Sequence, residues 1–193
     1  METVTEHKNH FIKTVIILIL LLAMNLLDAS AQEMYKTSSG LLIVTVHQEG
    51  KSVDLKAKEL LILLDYETGK VMIKQEIPAL RSNNDSIQQK LNDMEPESIT
   101  FEGKLGLDYI NTTGHPPLDF VVEGTIYPGD NHIIGSGNLI HRVQGTSSAC
   151  LLTLTFTLSL DDLDEVFQEY QKAGLHNEIH VQVVQSLLAR VND

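Results

Sequence analysis

The sequence predicts an all-β fold: an eight-stranded antiparallel barrel with two short helices. Two runs point to it first, Ser98-Ile-Thr-Phe-Glu-Gly-Lys-Leu-Gly-Leu-Asp108 and Cys150-Leu-Leu-Thr-Leu-Thr-Phe-Thr-Leu-Ser-Leu160. Both alternate apolar and polar side chains almost without error, the pattern of a strand with one wet face. Turn signals such as Glu67-Thr68-Gly69 and Pro128-Gly129-Asp130-Asn131 punctuate further runs of the same kind, as strands joined by short connections require. Eight strands make a barrel wide enough either to be filled by its own side chains or to hold one small ligand.

In chain order, residues 1–31 are expected to be a signal peptide. Lys8 and Lys13 precede the apolar stretch Val15 to Met24, and Ala29-Ser30-Ala31 is an A-x-A cleavage pattern. Asn25 and Asp28 interrupt the apolar stretch well short of the roughly 20 residues a membrane-spanning helix needs; an uncleaved anchor is the alternative. Residues 32–193 then form one barrel domain. Gln32 to Gly40 reads as a polar lead-in, and Leu41 to Gln48 as the first strand.

Val53 to Tyr66 is the second strand. Val53, Leu55 and Ala57 alternate against Asp54, Lys56 and Lys58, but both faces turn apolar from Leu60 to Leu64, so the strand becomes fully covered or shifts phase through a bulge. Lys70 to Ile77 is the third strand, stopped by Pro78. Asn84 or Asp85 can cap a short helix, Ser86 to Met94, with Ile87 and Leu91 on one face.

Ser98 to Asp108 turns Ile99, Phe101, Gly103, Leu105 and Leu107 inward, and the strand beginning at Leu118 does the same with Phe120, Val122, Gly124 and Ile126. His132 to Val143 is a weaker strand because Gly135 and Gly137 cost it rigidity. Cys150 to Leu160 follows, then a second helix from Asp161 or Asp162 through Lys172, with Leu163, Val166, Phe167 and Tyr170 at helical spacing. Glu178 to Val191 closes the set, opening with Ile179, Val181 and Val183 in phase. Gly103 and Gly124 sit within bulky inward rows, where they either let the strand bend or leave room for a guest.

The full chain carries 14 basic and 26 acidic side chains. Taking away the leader's two lysines and three acidic residues leaves 12 and 23, a net charge of −11 over 162 residues. That balance excludes nucleic acid as a partner and disfavours an anionic membrane surface. Cys150 is the sole cysteine, so no thiol stands at the cleavage point to take a lipid, and no disulfide can form within the chain. No stable membrane anchor is expected after cleavage.

No catalytic or metal-binding motif emerges. There is no Gly-x-Ser-x-Gly elbow, and Cys150, in phase with Leu152 and Leu154, reads as a buried, inert thiol. His176 and His180 are four apart, a metal spacing only on a helix, whereas the alternation around Ile179 puts His180 on a strand.

The order of features resembles the YceI-like family of exported lipid-binding barrels over about Leu41 to Val191. The stretches that carry it are Lys70 to Ile77, the helix after Asn84-Asp85, and Ser98-Ile-Thr-Phe-Glu-Gly103. Phe120-Val-Val-Glu-Gly-Thr-Ile-Tyr127, Leu154-Thr-Phe-Thr-Leu158 and Glu178-Ile-His-Val-Gln-Val183 extend it. Pro96 stands three residues ahead of Ile99 with no tyrosine beside it, a departure from the family's Tyr-Pro.

The resemblance implies a lipocalin-like barrel whose apolar lumen takes an isoprenoid or related lipid, with no catalysis and no cofactor beyond a bound isoprenoid or fatty-acyl lipid. The expected lining is Val71, Ile73, Phe101, Leu105, Phe120, Val122, Ile126, Leu154, Phe156, Leu158, Val181 and Val183. Ordinary core packing explains the same residues under a second reading, a filled barrel acting as a periplasmic interaction or structural protein. A third is a hydrolase with loop-borne residues near His115 or His141. Either of the first two places the mature protein outside the cytoplasm, and none specifies its oligomeric state.

Overall fold

The computed structural model describes residues 33–48, 51–93, 97–107, 110–111, 114–144, 147–159 and 175–191. All belong to the compact unit Gln32–Asp193. The expected leader and the expected helix at 161–172 lie outside the described residues.

The strands are β1 (Met34–Gln48), β2 (Lys51–Asp65), β3 (Lys70–Glu76), β4 (Arg81–Ser82), β5 (Ser98–Leu105), β6 (Leu118–Tyr127), β7 (Asn131–Gln144), β8 (Ser147–Ser159) and β9 (Leu175–Arg190). Eight of them form a ring in the order β1-β9-β8-β7-β6-β5-β3-β2, and the β1–β2 pairing closes it. Every pairing is antiparallel. This is the eight-stranded barrel the alternation predicts. The two-residue β4 stands outside the ring, paired to Leu55 and Lys56 of β2.

Closure explains where the sequence reading falls short. The polar lead-in is not a lead-in: β1 starts at Met34, pairing Met34 with Asp65 and Tyr35 with Leu64 on one side and Tyr35 with Arg190 on the other. A ladder needs only backbone groups, so a hydrophilic stretch with neighbours on both sides is held as firmly as an apolar one.

The ambiguity in β2 resolves to a bulge. Leu42 faces Ala57 and Gly40 faces Leu60, so β2 carries one extra residue there; between Thr37 and Gly40 the extra residue is on β1 instead. The two irregularities compensate. Both strands shift phase together, keeping Leu55, Ala57, Leu60, Ile62 and Leu64 inside opposite Val44, Leu42, Gly40, Thr37 and Tyr35. A further bulge between Leu152 and Leu154 of the β8–β9 pairing, at the positive-φ Gln185, moves β9's inward set from Val183 to Ser186 and Leu188.

The antiparallel ring gives two distinct ends. At the helix end, Pro78 follows Ile77 into a single 3-10 turn, Ile77–Ala79, and β4 leads into α1 (Asp85–Asn92). Asn84 is the cap: its side-chain oxygen accepts from the Ser86 and Ile87 amides at 3.0 and 3.2 Å, worth about 1 kcal/mol. At the other end, called here the loop end, lie the 66–69 turn and the segment between β5 and β6, along with both ends of the described chain. The Asp65 carboxylate organises the turn by accepting from the Glu67 and Thr68 amides and, at 2.6 Å, from the Thr68 hydroxyl, while Gly69 supplies the φ of +70° that reverses the chain.

Candidate functional site

The inward rows of all eight ring strands meet in a single continuous core, which also takes in Ile77, Leu80, Ile87 and Leu91 from the cover at the helix end. All twelve residues of the expected lining belong to it. Ten are buried; Leu158 and Val181 are partly buried and pack against the rest.

Packing within this interior is uneven. Toward the loop end, Leu60, Ile62, Leu64, Leu105, Val122, Leu139, Leu152 and Leu154 retain 0 % exposed surface. Toward the helix end, Ile73, Phe101, Ile126, Phe156 and Ile179 keep between 4 and 8 %, and Val44, Val53, Ile99, Leu158 and Val181 are only partly covered; the loop end has fewer such residues, Leu107, Leu118 and, at 7 %, Phe120.

The inward glycines seat the barrel's own aromatic rings. Gly103 and Gly124 lie directly opposite each other on β5 and β6. A Cβ at Gly103 would fall 2.6 Å from the Glu123 carbonyl oxygen and against the Phe101 ring, and one at Gly124 would fall 2.5 Å from the Gly103 Cα. Of the two sequence-level readings, room for a guest is therefore not what this rung offers. Gly135 and Gly137 of β7 likewise lie beneath Phe156 and beneath Phe120 with Leu154. They do not weaken β7, which runs unbroken from Asn131 to Gln144. Phe101 and Phe156 then meet edge to face, with centroids 5.1 Å apart, a favoured aromatic geometry.

At the loop end the interior is sealed by rings instead of aliphatic groups. Tyr66, fully buried, packs on Tyr35 with centroids 4.5 Å apart. Its hydroxyl lies 2.5 Å from His115 Nε2 and 3.0 Å from His141 Nδ1. His115 Nδ1 lies 2.6 Å from the Pro116 carbonyl oxygen. Burial pushes the Tyr66 phenol far above its ordinary range, with the nearby Cys150, Tyr35 and Glu33 adding to the effect. Burial also raises Tyr35, helped by the Glu33 charge and eased by the Ser148 hydroxyl. His141 is driven the other way, lowered by burial first and by His115 second, with Glu33 opposing. Cys150, directly across from His141 in the β7–β8 ladder, is fully buried, and burial pushes its thiol up to about 12. A thiol in that state is not a nucleophile near neutral pH.

His141 itself stands on β7 with its side chain inward, and His115 is loop-borne. Sequence reasoning missed Tyr35 and Tyr66 as members of this cluster because one sat in the supposed lead-in and the other at the end of an apolar run. The phase of His141 with Leu139 was the available signal. His180, on β9 as expected, lies 3.2 Å from the Thr157 hydroxyl and 3.5 Å from the Glu178 carboxylate. Among the described residues, no three His, Cys, Asp or Glu side chains come together as metal ligands. An open groove of about 660 Å³ lies on the outer wall, lined by Leu63 and Met72 with Lys70, Lys104, Glu102 and Glu123, and is separate from the lumen.

Among solved structures, the chain is similar to a polyisoprenoid binding domain from Saccharophagus degradans implicated in plant cell wall breakdown. Identity is 9 % and the TM-score 0.61, over 83 % of this chain and 99 % of that one. BcnA of Burkholderia cenocepacia aligns at 6 % identity and a TM-score of 0.49, over 79 % of this chain and 96 % of that one. No protein-family model matches the sequence, and no curated protein does. The first likeness shows a shared fold: the barrel that the resemblance implied is the barrel the chain has.

Proposed function

We propose that the chain is a divergent YceI-like carrier, exported after loss of residues 1–31, which holds an isoprenoid or related lipid chain inside its barrel and performs no chemistry on it. The observation that carries this reading is the sharing of a whole-domain fold with a polyisoprenoid binding domain. The interior suits such cargo. From Leu158 to Cys150 the inward row of β8 presents Leu158, Phe156, Leu154, Leu152 and Cys150, about 26 Å of strand at roughly 3.3 Å per residue. Each methylene buried there contributes about 0.8 kcal/mol, so ten contribute about 8 kcal/mol before the cost of association.

The helix end is the natural way in, because its side chains are the less completely packed and its cover rests on Ile87 and Leu91 of α1. Native mass spectrometry of protein purified from its host tests the reading. One apolar lipid per chain is expected; repeated recovery of the bare mass from lipid-replete cells would discard it.

The filled-barrel reading is favoured by a specific observation, the Phe101, Phe156 and Phe120 rings lying on inward glycines. The two readings part on one substitution. Val181→Trp, at a half-buried position of the helix end, blocks lipid uptake in a carrier while leaving the fold intact; in a filled barrel it changes no binding.

A further inference from the structure

The hydrogen bonds at the loop end fix an order of protons that leaves one strong acceptor over. A carbonyl oxygen can only accept, so His115 Nδ1 carries the hydrogen it shares with Pro116. In the neutral ring, Nε2 of His115 is then a bare lone pair, and the Tyr66 hydroxyl donates to it. A phenol has one proton. Having given it to His115, Tyr66 can only accept from His141, so His141 Nδ1 carries hydrogen and His141 Nε2 does not. That Nε2 is buried and has no hydrogen-bond partner among the described residues.

A second acceptor lies in the same region. Glu33 gives one carboxylate oxygen to Arg190 at 2.8 Å, while its other oxygen, Oε2, is buried and has no hydrogen-bond partner among the described residues. The Glu33 charge acts on Tyr35, Tyr66 and His141, which places it beside the ring cluster. Buried polar atoms without partners are uncommon, and each left so costs free energy that a bound donor would recover.

We propose that the loop end is a head-group site for a hydroxyl-bearing ligand, with the buried His141 Nε2 as the acceptor that orients it and Glu33 Oε2 as the neighbouring acceptor. The inference rests on the carrier reading and names the class of lipid: an isoprenoid or fatty alcohol in preference to a hydrocarbon or a carbonyl compound. The inward row of β8 ends at Cys150, opposite His141, so a chain lying along that row from the helix end brings its terminal group to the cluster. A hydroxyl there donates to Nε2. An aldehyde or ketone oxygen meets a lone pair and gains nothing.

The test compares farnesol, farnesal and farnesene for binding to delipidated protein at neutral pH, which requires no variant to fold. Farnesol should bind about tenfold more tightly than farnesene, the equivalent of one well-made hydrogen bond to a buried acceptor, and farnesal no more tightly than farnesene. His141→Phe should abolish the ratio of farnesol to farnesene affinity, whatever it does to the affinity for farnesene, and His141→Gln, whose amide oxygen can still accept, should retain part of the ratio. Equal binding of all three compounds would overturn the head-group site, leaving His141 Nε2 to water only. Failure of all three to bind would overturn it together with the carrier reading.

Discussion

At the loop end the barrel is stopped by Tyr35, Tyr66, His115 and His141: the Tyr66 hydroxyl is hydrogen-bonded to both histidines, and Tyr35 packs against the Tyr66 ring. At the helix end it is covered by a 3-10 turn and an eight-residue helix whose buried anchors are Ile77, Leu80, Ile87 and Leu91. The layers next to each cover differ in degree as well: on the loop side most residues keep no exposed surface, Phe120, Leu107 and Leu118 apart, while on the other side Ile73, Phe101, Ile126, Phe156 and Ile179 all keep some. A hydrogen-bonded plug opens only when several buried polar groups lose their partners at once, whereas an aliphatic cover lifts for the loss of a few contacts. The contrast makes the loop end the stiffer of the two.

The strongest way to break that contrast is to remove the plug. Tyr66→Ala deletes a fully buried ring and strips both histidines of their shared partner. It should cost about 3–5 kcal/mol, the range for large aromatic truncations, read by chemical denaturation. A loss under about 1 kcal/mol would mean that the loop end is no stiffer than the helix end. Next in size, Gly124→Val forces a side chain between Glu102, Gly103 and the Phe101 ring. Overpacking costs about 1–3 kcal/mol; an unchanged denaturation midpoint would show that β5 and β6 part at this rung without loss, since the closest atoms, the Glu102 carbonyl oxygen and the Gly103 Cα, belong to the backbone.

Asn84→Ala removes the cap of α1 and should cost about 1 kcal/mol. It sharpens the contrast if hydrogen exchange accelerates in α1 and at Ile77–Leu80 while Tyr66 and His141 stay protected. The smallest effect concerns acidity. His141 titrates below its ordinary value in the folded barrel, so the unfolded chain binds the proton first. The stability contributed by the neutral ring is present above about pH 6.5 and falls away as the pH drops from there through the lowered native value. The groups facing it are His115, Tyr66 and Glu33. Thermal melts at pH 7.5 and pH 5.5 should differ in the native protein and differ less in His141→Phe; an unaltered difference would place the acid sensitivity elsewhere.

Much of the barrel was legible because one physical signal, alternation, repeats in nearly every strand. Phe101, Phe120, Phe156 and their in-phase neighbours could be put inside without coordinates. What escaped notice depends on contacts between strands distant in sequence. No local pattern says that Ser38 and Ser39 form a bulge answered by one at Lys58 and Glu59, since the compensation exists only once β1 and β2 are paired. The ring cluster was hidden for the same reason: Tyr66 and His141 are 75 residues apart, and neither segment alone has a polar anomaly. The inward glycines are visible in the sequence, but nothing local pairs them with the phenyl rings that rest on them.

Those glycines also bear on assembly. If β6 slid past β5 by two residues, Val122 or Ile126 would stand where Gly124 now faces Gly103, and the Phe101 ring would have no notch to occupy. The same holds for Phe156 over Gly135 as β8 meets β7. In a chain built of many similar alternating strands, these ring-and-notch pairs favour the native alignment over its two-residue slips.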